Sequence, residues 1–180
     1  KAILTLNPNW MNLEPFALAM LAAWGSWCQA NSLEIKVGNL TDSADYAWRM
    51  GLFNYLPIKY SPSRIEHEEA GRFMPIKNVR NNAEVRNVIA DISALLHMEH
   101  NPEGLAAVQY CVSELLRNSL EHSNSPQGAF ICAQNYRKNQ RVSIAVADCG
   151  IGVTKHLARK FSEVTDNDKL ALDYALRPGI

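Results

Sequence analysis

An amphipathic helix followed by two strands constrains the fold of this chain more than any other feature. At about 100° per residue, the apolar side chains between residues 105 and 119 gather on one side of a helix. These side chains are Leu105, Val108, Val112, Leu115 and Leu116, joined by Ser119. Two runs typical of strands follow at 129–135 and 141–147, with a polar segment between them. We therefore expect this helix to be followed by an antiparallel hairpin.

A second stripe on the same helix is polar. Glu114, Asn118 and either Glu121 or His122 recur at i, i+4 and i+7 or i+8, well away from the apolar side. Most surface helices carry polar residues opposite the core, so this stripe taken alone indicates only a solvated face. The alternative is that the stripe binds a ligand, and that depends on what else the chain supplies.

The second strand runs directly into Asp148, Cys149, Gly150, Ile151 and Gly152. Glycines at alternate positions have no Cβ, so the backbone can turn sharply there and come close to a flat ligand. Asp148 supplies a carboxylate acceptor at the end of the strand. By itself the pattern D-x-G-x-G is weak evidence, because Asp-x-Gly is common in plain turns.

The two patterns together are more specific. A helix with E-x-x-x-N, then a hairpin, then D-x-G-x-G at the end of its second strand resembles the GHKL superfamily of ATP-binding domains. The segment 114–123 (ELLRNSLEHS) resembles the N box of that superfamily, and 148–153 (DCGIGV) resembles its first glycine box. The resemblance covers roughly 72–180. It implies a Bergerat-type α/β sandwich in which a mixed sheet is covered by helices on one face.

The resemblance also implies a role for each site residue. Asn118 would coordinate the Mg²⁺ that bridges the phosphates of ATP, because one amide oxygen is enough for an ion that keeps several waters. Asp148 would accept a hydrogen bond from the adenine amino group, and Gly150 and Gly152 would let the backbone approach the base. Glu114 would be the catalytic residue, a general base acting on water or on a substrate hydroxyl, as in gyrase-like and anti-sigma members.

The sequence departs from the superfamily pattern in two places. Sensor histidine kinases often have a basic residue where this chain has Glu121, so a phosphate contact there would come from His122 or from elsewhere. No second glycine-rich box follows, and the sequence ends about where the mobile lid of the superfamily begins. We therefore expect the ATP-binding domain to be truncated before the lid.

Residues 1–60 predict a smaller α/β layer with the order strand, helix, strand, helix. This order resembles a STAS module, the fold of anti-sigma-factor antagonists, although the loop at 7–13 has no Ser or Thr to phosphorylate. The alternative is an α/β cap that only packs on the ATPase. The polar segment 61–71 is the expected linker to the domain at 72–180. The fold class predicted for the whole chain is α/β (α+β).

Composition and charge narrow the range of partners. The chain has 18 basic and 18 acidic residues, and this zero net charge gives no reason to expect nucleic acid or an anionic membrane as a partner. Its four cysteines show neither CxxC spacing nor histidines at zinc-finger intervals, which is typical of reduced thiols and a cytoplasmic location. The most apolar run, 16–24, is far shorter than the ~20 residues that cross a bilayer.

The resemblance implies a Mg²⁺-dependent ATP-binding domain in a bacterial regulatory system. Its activity would be ATP hydrolysis or phosphate transfer to a protein partner, as in serine/threonine kinases of the anti-sigma type. The alternative is a non-catalytic switch in which ATP changes an interface with a partner protein. A homodimer is compatible with either function. In a third, purely structural interpretation, both motifs are incidental.

Overall fold

Two strands and two α-helices form the described N-terminal part of the chain. The computed structural model describes residues 2–4, 13–38, 40, 44–62 and 71–177. The N-terminal elements are β1 (Ala2–Leu4), α1 (Pro15–Ala30), β2 (Ile35–Val37) and α2 (Asp45–Arg49). The predicted order of strand, helix, strand, helix is confirmed.

Residues 71–177 contain three further strands and four further α-helices. They are β3 (Phe73–Val79), α3 (Asn82–Leu96), α4 (Pro102–His122), β4 (Ala129–Tyr136), β5 (Arg141–Asp148), α5 (Gly152–Leu157) and α6 (Asp168–Ala175). The sequence predicts a strand at 72–79, a helix at 82–97, a helix that begins at 101–103 and strands at 129–135 and 141–147, and the first five elements agree with these predictions to within a residue or two. Helices α5 and α6 were not predicted.

The sheet of this part has three strands in the order β3, β4, β5. Strand β4 pairs with β5 over its whole length, from Ala129 opposite Asp148 to Tyr136 opposite Arg141. Both pairs of strands are antiparallel, whereas a mixed sheet was predicted. The parallel pair of β1 and β2 forms a separate sheet. The general α/β class is therefore confirmed, and the hairpin that leads to residue 148 is as predicted.

Strand β3 is irregular at Pro75. Its register with β4 shifts between Met74 and Lys77, since a proline has no N–H to donate to a neighbouring strand. Within this irregular stretch the amide of Ile76 donates to the carbonyl of Met50 at 2.9 Å. The irregularity thus connects the sheet to the N-terminal part of the chain.

Both faces of the central strand β4 are buried. Ile131 and Ala133 pack with α3 and α4, while Phe130 and Cys132 pack with α1 on the opposite face. The buried side chains of α3 and α4 are Val85, Val88, Ile92, Leu95, Val112 and Leu116, and those of α1 include Leu18, Ala19, Ala22, Ala23 and Cys28. A strand buried on both sides has a continuous apolar sequence, which explains the run AFICA at 129–133.

Polar contacts also join α1 and α2 to the sheet. The hydroxyl of Tyr46 donates to Gln134 Oε1 at 3.0 Å, and the thiol of Cys132 donates to the carbonyl of Pro15 at 3.2 Å. Burial raises the pKa of the Cys132 thiol to about 12, so it stays protonated at neutral pH.

The predicted linker, 61–71, lies mostly outside the described residues, and a domain boundary there stays a prediction. No helix in the described ranges is long and apolar enough to cross a membrane.

The N-terminus of α4 is capped by Asn101. Its side-chain oxygen accepts a hydrogen bond from the amide of Gly104 at 2.9 Å, and Pro102 occupies the first helical position. These two residues fix where the helix begins. The Asn101 side chain accepts from a backbone N–H that has no acceptor within the helix, and proline has no N–H that would need one. The start of α4 sets the positions of Glu114 and Asn118 three and four turns later.

Replacing Asn101 by alanine is expected to lower the free energy of unfolding by about 1 kcal/mol, because the amide of Gly104 loses its acceptor. Urea denaturation followed by circular dichroism measures this change. Asn87→Ala is the matched control, since Asn87 is exposed in the middle of α3, and it should change the free energy by less than about 0.5 kcal/mol. Equal losses in the two variants would contradict the capping role of Asn101.

Candidate functional site

Helix α4 presents the predicted polar stripe on its outer side. Its buried face carries Val112 and Leu116, whose side chains are 3% and 0% exposed. Asn118 and His122 are exposed, and Glu114 is half-buried. The three polar residues therefore lie away from the core, in the arrangement that the i, i+4, i+8 spacing predicts.

Leu115 does not lie where the sequence analysis placed it. It was assigned to the apolar face, but its side chain is 53% exposed. The reason is that the core contact of α4 is centred on Val112 and Leu116, and Leu115 lies at its margin. On the helical wheel Leu115 is only about 60° from Asn118. The polar stripe is thus bordered by an exposed apolar side chain.

The carboxylate of Glu114 has a partner that the sequence analysis did not identify. Arg117 Nη1 donates to Glu114 Oε1 at 3.3 Å. The side chains of Glu114 and Arg117 are 40% and 55% exposed. An ion pair this exposed stabilises the protein little, because water screens both charges. Glu114 can therefore exchange Arg117 for another partner at small cost.

The side chain of Asn118 is in a different situation. It is exposed and forms no hydrogen bond or ion pair with any other part of the described chain. Its amide oxygen is consequently open to a ligand. An oxygen of this kind suits a hard cation such as Mg²⁺, which binds few protein atoms and keeps several waters.

Asp148 closes the loop that follows β5. Its Oδ1 accepts a hydrogen bond from the amide of Gly150 at 2.8 Å. This is the local turn that aspartate side chains commonly stabilise. One carboxylate oxygen of Asp148 therefore holds the loop in shape, and the other oxygen is not used by this contact.

The loop rests against the end of α4. The amide of Ile151 donates to the carbonyl of Ser123 at 2.7 Å. A Cβ added to Gly150 would lie 2.1 Å from the Ser123 carbonyl oxygen and 2.5 Å from its Cβ. Only glycine allows this approach, so the two motifs, distant in sequence, are in direct contact. Gly150 was expected to let the backbone approach a flat ligand, and its close neighbour in the structure is Ser123.

Gly152 is required for a different reason. Its φ is +77°, in the left-handed region that side chains with a Cβ disfavour, but a Cβ there would meet no described atom within 4 Å. The conformation of the loop, rather than a close neighbour, therefore demands this glycine.

Cys149 lies between Asp148 and the two glycines. Burial raises the pKa of its thiol, as do the charges of Asp148 and Cys28. Cys149 thus stays protonated at neutral pH and is a poor nucleophile.

His122 contacts a residue that the sequence analysis missed. Its ring centroid lies 4.8 Å from that of His156, with the planes tilted by 53°. His156 belongs to α5, which follows the glycine loop, and its Nδ1 is buried without a partner among the described atoms. The two histidines are 34 positions apart in the sequence, and no local pattern connects them. Their contact brings α5 to the side of α4 that carries the polar stripe.

The described residues contain no cluster of three or more His, Cys, Asp and Glu side chains that could hold a metal ion. The predicted Mg²⁺ site does not require one, because its ligands would be Asn118, phosphate oxygens and water. No protein-family model, curated protein or solved structure matches this chain. A function for this surface must therefore be inferred from the chemistry of the residues that meet at Ser123 and around it.

Proposed function

We propose that this protein binds Mg²⁺-ATP on the surface formed by the outer side of α4 and the loop 148–152. The observation that carries the proposal is the contact of this loop with the end of α4, through Ile151 and Gly150 on Ser123. Because of this contact, two motifs that are each weak evidence become parts of one surface. The contact of His122 with His156 supports the same arrangement from the neighbouring turn.

In this proposal, the adenine base binds at the glycine loop. Asp148 accepts from the adenine amino group with the carboxylate oxygen that Gly150 does not use. The ring also needs apolar surface, as nucleotide and cofactor sites generally provide. Val153, which is 43% exposed in the first turn of α5, supplies such surface directly after the loop.

The phosphates would lie along the polar stripe of α4. Asn118 would hold the Mg²⁺ with its unpartnered amide oxygen, and His122 would donate to a phosphate. When bound, the ion neutralises charge on the phosphates and so makes the terminal one easier to transfer. We further propose that residues 72–180 have a variant of the Bergerat-type fold, with the antiparallel sheet described above in place of a mixed one, and that residues 1–60 are a STAS-like module.

The activity that fits this surface is attack on the terminal phosphate by water or by a hydroxyl of a protein partner. Glu114 is the carboxylate on the stripe that can accept the proton, one turn before Asn118. The alternative function is a switch in which ATP binding changes an interface without chemistry. The contact of Glu114 with Arg117 favours this alternative, because it occupies one oxygen of the carboxylate that would have to accept the proton.

ATP is expected to bind at least about fivefold more tightly than GTP, because guanine presents a carbonyl oxygen to Asp148 where adenine presents an amino group. Asp148→Asn should weaken ATP binding by about 1–3 kcal/mol, since an amide NH₂ would face the adenine amino group. The amide oxygen of asparagine can still accept from Gly150, so the loop is retained. Isothermal titration calorimetry with ATP, ADP and GTP measures these affinities.

Asp173→Asn is the matched control for this experiment. It removes an equal charge from the exposed surface of α6 and should leave the affinity for ATP unchanged. Equal affinities for ATP and GTP would exclude the proposed role of Asp148. Absence of ATP binding by the wild-type protein would overturn the proposed function as a whole.

A further inference from the structure

A groove of about 400 Å³ runs between α3 and α4, on a different side of α4 from Asn118. The residues that line it are Asn82, Val85, Arg86, Ile89, Ser113 and Arg117. On α3 these positions follow the spacing i, i+3, i+4, i+7, and on α4 they are one turn apart. The groove therefore has one face of each helix as a wall.

The two helices form an antiparallel pair, which fixes what lies opposite what. Gln109 Nε2 donates to Ser93 Oγ at 2.8 Å across the pair. Ile89 lies one turn before Ser93 on α3, and Ser113 lies one turn after Gln109 on α4, so these two residues are opposite each other. A further turn places Val85 opposite Arg117. The floor of the groove is thus apolar, with Val85 only 4% exposed, and guanidinium groups from both helices border it.

Neither guanidinium is strongly held by the protein itself. Arg86 is exposed and has no ion pair or side-chain hydrogen bond with the rest of the described chain. Its neighbours one turn away on α3 are Asn82, Ala83, Ile89 and Ala90, none of which is acidic. Among the residues that the structure describes, the side chain of Arg117 forms an ion pair with Glu114 alone, in the exposed pair described above.

The nearby carboxylates of α3 are engaged elsewhere. Glu84 accepts from the amide of Arg80 at 2.6 Å and from Asn81 Nδ2 at 2.8 Å, at the start of the helix. Asp91 accepts from Lys77 at 2.5 Å. The groove therefore has two cationic groups whose charge is only partly compensated.

We propose that the groove between α3 and α4 docks an acidic segment of a partner protein. Carboxylates of the segment pair with Arg86 and Arg117, because a guanidinium presents two parallel donors that match a carboxylate. An apolar side chain of the segment covers Val85 and Ile89. The proposal goes beyond the nucleotide site and does not depend on it.

Charge and surface chemistry distinguish this partner from other anions. A nucleic acid needs a broad basic surface, whereas this groove has two guanidinium groups and the whole chain has zero net charge. A free phosphate ion would pair with the guanidinium groups but would leave the apolar floor exposed. An acidic peptide that also carries an apolar residue satisfies both parts of the groove.

A random twelve-residue peptide library displayed on phage tests the proposal by selection on the purified full chain. Selected peptides are expected to be rich in Asp and Glu around an apolar residue. Arg86→Gln should weaken their binding by about tenfold or more, because a charge-assisted hydrogen bond is lost. Arg159→Gln is the matched control, since Arg159 is exposed beyond α5 and outside the groove, and it should bind the peptides like wild type.

NMR spectra of the methyl groups locate the bound peptide. Shifts of Val85 and Ile89 on addition of a selected peptide are the expected result, with 10 mM inorganic phosphate present as a competitor. Selected peptides without acidic residues would overturn the proposal, as would equal binding to Arg86→Gln and wild type. Displacement of the peptide by phosphate alone, or by a short RNA, would show that the groove binds that ligand and not an acidic protein segment.

Discussion

Gly150→Ala is expected to weaken ATP binding by about 100-fold or more and to destabilise the protein. The added Cβ would lie 2.1 Å from the carbonyl oxygen of Ser123, which belongs to the backbone and cannot rotate away. The loop must then move by about 1 Å or more. A displacement of this size can by itself lower the activity or affinity of a site by about 100-fold. The hydrogen bond from Ile151 to Ser123 would be lost with it.

The expected loss of stability is about 1–3 kcal/mol, the usual effect of overpacking a filled site. Urea denaturation measures this loss, and calorimetry with ATP measures the affinity. Gly38→Ala is the control, because a Cβ at Gly38 would meet no atom of the described residues within 4 Å. Gly152→Ala should lie between the two, since its left-handed backbone makes a Cβ unfavourable without a clash. Wild-type affinity in a folded Gly150→Ala variant would show that the loop does not form the site.

Elements whose signals are local could be predicted from the sequence. Helix α4 was predicted from its apolar spacing and from Asn101 and Pro102 at its start, which act within the first turn. The hairpin of β4 and β5 was predicted from two short apolar runs separated by five polar residues. The polar stripe on α4 followed from the same helical period. These features depend on neighbours a few positions away, so one sequence is enough to find them.

The contacts between the motifs could not be predicted in this way. Ser123 and Gly150 are 27 positions apart, and nothing in either segment indicates that the glycine is needed to approach the serine. The same holds for His122 and His156. The resemblance to a superfamily predicts that the two segments form one nucleotide site, and that site stays a prediction. Only the packing gives a physical reason for Gly150.

The packing of α1 against the sheet had a signal in the sequence that was not used. The run at 129–133 is apolar at every position, which is typical of a strand with both faces covered. A strand covered by helices on one face only would alternate apolar and polar residues. Helix α1, whose 16 residues include no charged side chain, supplies the second cover. A continuous apolar strand and an uncharged helix, taken together, indicate a shared core.

Glu114→Ala tests whether the site performs chemistry. If Glu114 is the general base, the turnover of ATP should fall by about 10²–10⁴-fold, the usual contribution of a positioned proton acceptor. The affinity for ATP should change little, because the base acts on the nucleophile rather than on the bound nucleotide. Glu121→Ala is the matched control, since Glu121 is an exposed carboxylate on the same stripe and should be replaceable without effect.

Asn118→Ala separates the metal ligand from the base in the same assay. It should weaken ATP binding mainly when Mg²⁺ is present, because the lost group is an oxygen ligand of the ion and not a contact to adenine. The measurements are ATP affinity with and without Mg²⁺, and phosphate release, for wild type and the three variants of α4. Turnover that is undetectable in the wild-type protein, with or without candidate partner proteins, would exclude the enzyme and leave the switch. If neither Glu114→Ala nor Asn118→Ala changes affinity or turnover, the stripe on α4 is only a solvated face, because a ligand bound along it could not be indifferent to both.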